Sequence, residues 1–355
     1  MQTFLEQVAN HAITKYGDSI SEVCFVFPNR RAGLFLKRHL AAQLKKTFWA
    51  PQIFSAEDFV VELSGLKITD NISLLFEFYK VHQKIAATNA QDFDGFSDWG
   101  QILLHDFNDV DLYLVNAKLL YNYLKETKEI SEWDLSEEGL SPHQKKYIEF
   151  YSSFYQYYQE LQGLLSAKNL AYQGMAFRQL AENIEQVDVS KKWKKIIFAG
   201  FNALNKAEEK IITTLVNNGN AEILWDTDSY YLDNNYFEAG NFIRKFNAKF
   251  PDPEFKWKNN FYKNDKKIIN IIGVEGNIGQ VKYAGDLIAS NPEINEDISK
   301  TAVVLSDESL LIPFLNSLPE NVDALNVTMG YGLSHSTFFS LANSIIELHD
   351  KSAKI

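Results

Sequence analysis

The chain has 355 residues, 46% of them hydrophobic and 14% aromatic, with a formal net charge of −11 at pH 7. That length suggests two or three domains; the apolar fraction excludes a largely disordered chain, and the acidic balance excludes a protein that coats nucleic acid over its whole surface. The single cysteine, Cys24, excludes an intrachain disulfide framework, a zinc ribbon and a four-cysteine iron–sulfur cluster.

The opening MQTFLEQVANHAITKYGDS is amphipathic and mixed in charge, without the basic flank and apolar core of a signal peptide. No apolar run approaches the ~20 residues that span a bilayer. The expectation is a soluble, cytoplasmic protein with no membrane association. Phe4, Leu5, Val8, Ala12 and Ile13 recur at helical spacing, with Gly17 as the stop. Val23–Phe27 is a continuous apolar run of β-formers, which reads as a buried parallel strand. Pro28 ends it, and Arg31–Lys45 reads as a helix, so two arginines stand in a strand-to-helix turn.

Residues 55–190 show 3.6-residue spacing at Ala56–Ser64, Ser73–Ala87, Trp99–Leu112, Ala117–Leu124, Pro142–Leu165 and Tyr172–Ile184, with no strand expected among them. The aromatic run YIEFYSSFYQYYQELQGLL fits a helical core better than a stack of bases. After Lys195 the pattern alternates. KKIIFAGF, AEILWDTD, IINIIG and TAVVLSD read as strands; NKAEEKIITTLVNNG, Glu238–Phe250, Gly279–Ala289 and Ser309–Ser317 read as helices. The polar stretch 251–267 is the candidate interdomain linker.

Charge is unevenly distributed. Val23–Ala56 contains no acid but carries Arg30, Arg31, Lys37, Arg38, Lys45 and Lys46; Gln91–Asn116 contains six aspartates and no Lys or Arg. Two readings stand: solvated helix faces, or a basic strip placed for phosphates on a domain that elsewhere repels them.

Chemistry-bearing motifs are scarce. There is no G-x-x-x-x-G-K-[ST] loop, and Gly273, Gly276 and Gly279 lack the lysine of a phosphate loop. Asp252 with Asp265-Lys266-Lys267 matches the string of a metal-dependent nuclease, but Asp252 sits in a proline-flanked polar stretch and Asp265 precedes its strand. Asp226 and Asp228 end a strand, where they hold a metal or, more commonly, cap a turn. The histidines, among them His39, His82, His105, His143 and His335, show no metal-ligand spacing, and no G-x-S-x-G elbow is present.

Taken together, VFPNRRAGLFLKRHL, FSAEDFVVEL, GQILLHDFNDVDLYL, GMAFRQLAE, FAGFNALNKAEEKIITTL, EILWDTDSYY and NVTMGYGLSHSTFFSL resemble, in order and spacing, the N-terminal part of AddB-like proteins, especially Bacteroidetes members described as PD-(D/E)XK nuclease family proteins. The resemblance runs over essentially the whole chain, and those proteins are longer, with the nuclease domain at the far C-terminus. It implies a RecA-like, superfamily I helicase-like parallel sheet interrupted by a large all-helical insertion, followed by the start of a second RecA-like domain. The expected division is 1–60 with 191–255, then 61–190, then 266–355. It further implies a motor without ATPase activity. The family's D-E-x-Q-D-x-N segment falls on Ala199–Asn205, where the two acids become Ala199 and Gly200, and the strand Ala302–Asp307 lacks the family's arginine. No cofactor is expected in this chain; Mg²⁺ belongs to the nuclease domain of longer members. The partners implied are single-stranded or forked DNA and an AddA-like helicase–nuclease subunit. The DNA-facing candidates are Asn29, Arg30 and Arg31 in the turn, Lys37 and Arg38 on the helix after it, and Phe201 and Asn202 at another strand end. Phe201 stacks on a base or packs in the core; both readings stand. Thr328–Tyr331, ahead of a helix, is a weaker contact candidate.

Overall fold

The computed structural model describes residues 2–131, 142–249, 258–292, 294, 300–320, 322, 324–330 and 332–352. The chain divides into two units, residues 1–265 and 266–355.

The first unit is built on a four-stranded, all-parallel sheet in the order β2-β1-β5-β6, with β1 at Val23–Phe27, β2 at Gln52–Ser55, β5 at Lys195–Ala199 and β6 at Ala221–Leu224. The central strands are buried on both faces, and their side chains alternate as a strand demands. Val23, Phe25, Phe27, Ile197 and Ala199 enter one apolar cluster; Cys24, Val26, Ile196 and Phe198 enter the other. The first face is covered by α1 (Phe4–Tyr16) through Val8, Ala9 and Ala12 and by α2 (Arg30–Leu44) through Leu36 and Leu40. Helix α1 is also tied to the edge strand. Glu222 on β6 accepts from Lys15 at 2.5 Å and Tyr16 at 2.8 Å, and lies 3.3 Å from His11. Burial pushes the Glu222 carboxyl up, but these hydrogen bonds prevail and hold it at about 2.

The second face is covered by α3 (Ala56–Ser64), α9 (Gln173–Asn183) and α10 (Lys206–Asn217). Between β2 and β5 lie the further helices α4 (Asn71–Ala86), α5 (Phe93–Leu112), α6 (Ala117–Ser131), α7 (Pro142–Ser152) and α8 (Phe154–Ser166). Their core is aromatic: Phe78, Phe96 and Phe107 are wholly buried, and Phe154, Tyr157 and Tyr158 turn inward with them. The helices and the sheet share this cluster, so residues 61–190 belong to the same unit as the sheet. Gly174 opens α9 where it meets α5; a Cβ there would lie 2.3 Å from the Asn108 carbonyl oxygen.

Among these helices sits a fully buried carboxylate, Asp111. Tyr158 and Tyr172 each donate to it at 2.5 Å, Gln162 donates at 3.1 Å, and Arg178 Nε lies 2.6 Å away as an ion pair. Burial pushes the Asp111 carboxyl up against the pull of these partners. The same guanidinium donates to the carbonyls of Val110 and Val115, fixing the turn in which Leu114 takes φ +52°. Another buried polar group, His82, accepts from the Gln91 N–H at Nε2 (3.1 Å), which leaves Nδ1 to donate to the Tyr157 hydroxyl (2.9 Å); burial lowers its pKa.

Gln52–Ser55, a segment to which the sequence reading assigns no element, is a strand that pairs with β1. Two expectations need correction. Two short strands, β3 (Lys67–Ile68) and β4 (Leu170–Ala171), pair in parallel within the region expected to be free of strands. AEILWDTD is two strands, β6 and then β7 (Thr227–Asp228), which pairs with β8 (Lys258–Asn259) in a separate sheet.

In the second unit, helix Asn277–Ser290 packs on helix Leu311–Leu315 through Val281, Ile288 and Phe314. The expected strands IINIIG and TAVVLSD are not strands here: among the described residues of this unit no strand pairing forms. Ile268 is 93% and Ile271 96% exposed. A strand is defined by a neighbour that satisfies its backbone, so an apolar run of β-formers without one remains irregular. Among the described residues, no sheet in this unit bears on the RecA-like expectation.

The buried polar groups have consequences for stability. Asp111→Ala strands the Arg178 charge and should cost about 3–5 kcal/mol in urea unfolding, with Arg178→Ala comparably severe. His82 has a folded pKa below its unfolded value of about 6.5, so its contribution is intact above that value. Stability should fall as the pH drops below it toward the folded pKa, and His82→Gln should flatten that part of the profile.

Candidate nucleic-acid interface

Because all four strands are parallel, their carboxyl ends share one edge of the sheet. From β1 the chain passes through α2 to β2 on one side; from β5 it passes through α10 to β6 on the other. Adjacent strands β1 and β5 thus send their helices in opposite directions, and the turns that follow them flank the point where the strand order reverses, the usual ligand position of an open parallel sheet. Phe4 of α1 approaches the second of these turns, with a ring carbon 3.4 Å from where a Cβ on Gly200 would lie. These turns are Pro28–Arg31 and Gly200–Asn202, so the fold brings together two segments far apart in the sequence.

Asn29 caps α2: its side chain accepts from the Ala32 N–H at 3.0 Å. Arg30 reaches across to the first turn of α3. Its Nε donates to Asp58 Oδ2 at 2.8 Å and its terminal nitrogen to Oδ1 at 2.6 Å, a two-toothed pair. Ser55 caps α3 by accepting from the Asp58 N–H (3.1 Å) and donates its own proton to Asp58 Oδ2 (2.6 Å). The Arg30 hydrogen bonds, aided by Ser55, hold the Asp58 carboxyl at about 2. Of the two arginines in the turn, Arg30 is therefore already neutralised.

Arg31 is different. It lies over the Phe35 ring at 5.7 Å and forms no ion pair among the described residues. Lys37 and Arg38 are exposed one to two turns further on, again with no ion pair among the described residues, and Lys45 stands at the end of the helix. The outer face of α2 is consequently a run of cations that the described residues leave unbalanced. Between them lie Leu34, 68% exposed, and Phe35, 40% exposed.

At the second turn Gly200 takes φ +74°, a conformation that favours glycine, and its N–H donates to the Leu224 carbonyl at 3.1 Å. Phe201 then turns inward: it is 5% exposed, with its ring 6.1 Å from that of Phe198. A base has no ring face to stack on there, and the core-packing alternative is the one observed. Asn202 is exposed. Asn205 caps α10 in a reciprocal box with Glu208.

The other candidates serve structure or stand apart. Asp228 is buried and accepts from the Tyr230 N–H at 2.8 Å and the Tyr262 N–H at 3.2 Å; Asp226 is exposed. Among the described residues no group of three or more His, Cys, Asp or Glu side chains is placed to hold a metal. Gly276, at φ +68°, precedes helix Asn277–Ser290, and no strand leads into it among the described residues. Asp252 and Tyr331 lie outside the described residues. The residue that sequence reasoning missed is Asp58. The S-x-x-D spacing of Ser55 and Asp58 marks the start of a helix, but nothing local shows that the acid turns to Arg30.

No protein-family model matches this chain, and no curated protein matches it significantly.

The placement of Phe201 has a measurable consequence. Phe201→Ala should destabilise the protein by about 3–5 kcal/mol in chemical denaturation, as a truncated buried Phe does; a surface stacking residue would change stability by less than about 0.5 kcal/mol.

Proposed function

We propose that this chain binds and guides nucleic-acid strands without catalysing a reaction on them, as the helicase-like portion of an AddB-type helicase–nuclease subunit acting in DNA double-strand-break end processing and recombinational repair. The observation that carries the reading is the position of α2. Its N-terminus stands where the strand order reverses, and its outer face presents Arg31, Lys37 and Arg38 with no carboxylate among the described residues to balance them. Helix N-termini and unpaired arginines at strand ends are good phosphate ligands, and phosphate contacts position a strand without reading its sequence. Single-stranded or forked DNA is the proposed ligand. The replacement of two acids by Ala199 and Gly200, together with the missing phosphate loop, supports a role without ATP hydrolysis. The proposed partner is an AddA-like motor subunit, and nuclease chemistry with its Mg²⁺ is assigned to a domain outside this sequence.

A second reading, a scaffold that docks the motor with little DNA contact, is favoured by Leu34 and Phe35, which are exposed among the cations of the same face.

The test is a titration of single-stranded DNA at several salt concentrations. The Arg31→Ala/Lys37→Ala/Arg38→Ala triple variant should bind tens of times more weakly, and its log–log salt slope should shrink by about 2. Unchanged affinity and slope would sink the DNA assignment of α2, and retained co-purification with a motor subunit in that case would favour the scaffold.

A further inference from the structure

We propose that Asp58 is an internal stand-in for phosphate: it occupies the Arg30 guanidinium until a strand already held by the neighbouring cations displaces it. The proposal rests on the nucleic-acid reading above and adds a selection rule to it.

The geometry supports the exchange in three ways. First, Arg30 is engaged through two nitrogens by two carboxylate oxygens at 2.8 and 2.6 Å, and a phosphodiester's two non-bridging oxygens present the same two-toothed acceptor. Second, the pair is exchangeable. The Arg30 side chain is 76% exposed and that of Asp58 34%, so no buried charge is created when they part. Third, Asp58 has a resting state without Arg30. It lies in the first turn of α3, where the helix N-terminus favours a negative charge, and it keeps the Ser55 hydroxyl at 2.6 Å.

The exchange costs one ion pair and returns one, so it contributes little net affinity, and the freed carboxylate then stands near the incoming phosphate. A single phosphate or nucleotide gains little by entering. A strand anchored at Arg31, Lys37 and Arg38 brings its next phosphate to Arg30 at high local concentration and displaces Asp58. Asp58 therefore discriminates in favour of a polyanionic strand and against isolated phosphates. It also hides Arg30 from the wild-type salt dependence, because a cation already neutralised releases no counterion from the nucleic acid.

The experiment uses the whole chain and a fluorescently labelled oligothymidylate, with inorganic phosphate as the single-phosphate competitor. Asp58→Asn frees Arg30 while conserving the side-chain shape. It should bind the oligonucleotide about fivefold more tightly at low salt, with a log–log salt slope steeper by about 0.7, and phosphate should compete better than against wild type. Glu57→Gln is the control, since Glu57 is an exposed acid one residue away that shares no hydrogen bond with Arg30; its gain should be clearly smaller. The gain should vanish in Asp58→Asn/Arg30→Ala. Equal gains in Asp58→Asn and Glu57→Gln, or a gain that survives loss of Arg30, would overturn the stand-in role while leaving the nucleic-acid reading intact. Absence of binding by both wild type and Asp58→Asn at low salt would overturn both. Should Asp58→Asn fold poorly, Asp58→Ser provides the same comparison.

Discussion

The fold depends on one constraint: a parallel sheet must be covered on both faces. Strands β1 and β5 pair directly and expose almost nothing, so each face needs its own layer of apolar side chains. On one side α1 and α2 supply it. On the other, α3, α9 and α10 supply it, and the helices between β2 and β5 extend that layer into an aromatic core. The long helical stretch is therefore continuous with one wall of the sheet. Its buried polar groups follow the same logic. Asp111 and His82 are tolerated because hydrogen-bond partners surround them, which fixes the helices against one another more specifically than rings alone would.

The same constraint decides where a ligand can approach. With both faces covered, the strand ends remain, and the reversal of strand order between β1 and β5 marks the point on that edge where open parallel sheets take ligands. A net charge of −11 would oppose a polyanion over most of this surface. Along α2 the opposition is locally lifted, and at its N-terminus Asp58 partly restores it. The surface of α2 is thus graded, with free cations along the helix and a masked one at its N-terminus.

Much of this was legible in the sequence. Val23–Phe27 reads correctly because a strand buried on both faces is apolar at every position, and α1 reads correctly because its apolar residues recur at helical spacing and Gly17 stops it. The strand Gln52–Ser55 is hidden because it is an edge of four residues with a polar start, too short to show a period. Strands β3 and β4 are hidden because two-residue ladders have no periodicity. In the second unit the error runs the other way: Ile268–Gly273 has the composition of a strand, but composition does not supply a neighbour to pair with.

At the candidate interface the limit is of another kind. Counting charges over residues 23–56 gives six cations and no acid, a correct inventory that treats Arg30 and Arg31 alike. The structure separates them. Arg31 faces solvent over Phe35, whereas Arg30 is joined to a carboxylate two residues beyond the end of the acid-free stretch. The difference arises because β1 and β2 are register partners, Phe27 opposite Ser55, so the turns that follow them must lie side by side. Charge in sequence measures what a segment brings to a surface; strand pairing determines what it meets there. For a protein whose proposed work is to hold phosphates, the second quantity sets the affinity, and it becomes visible only once the sheet order is known.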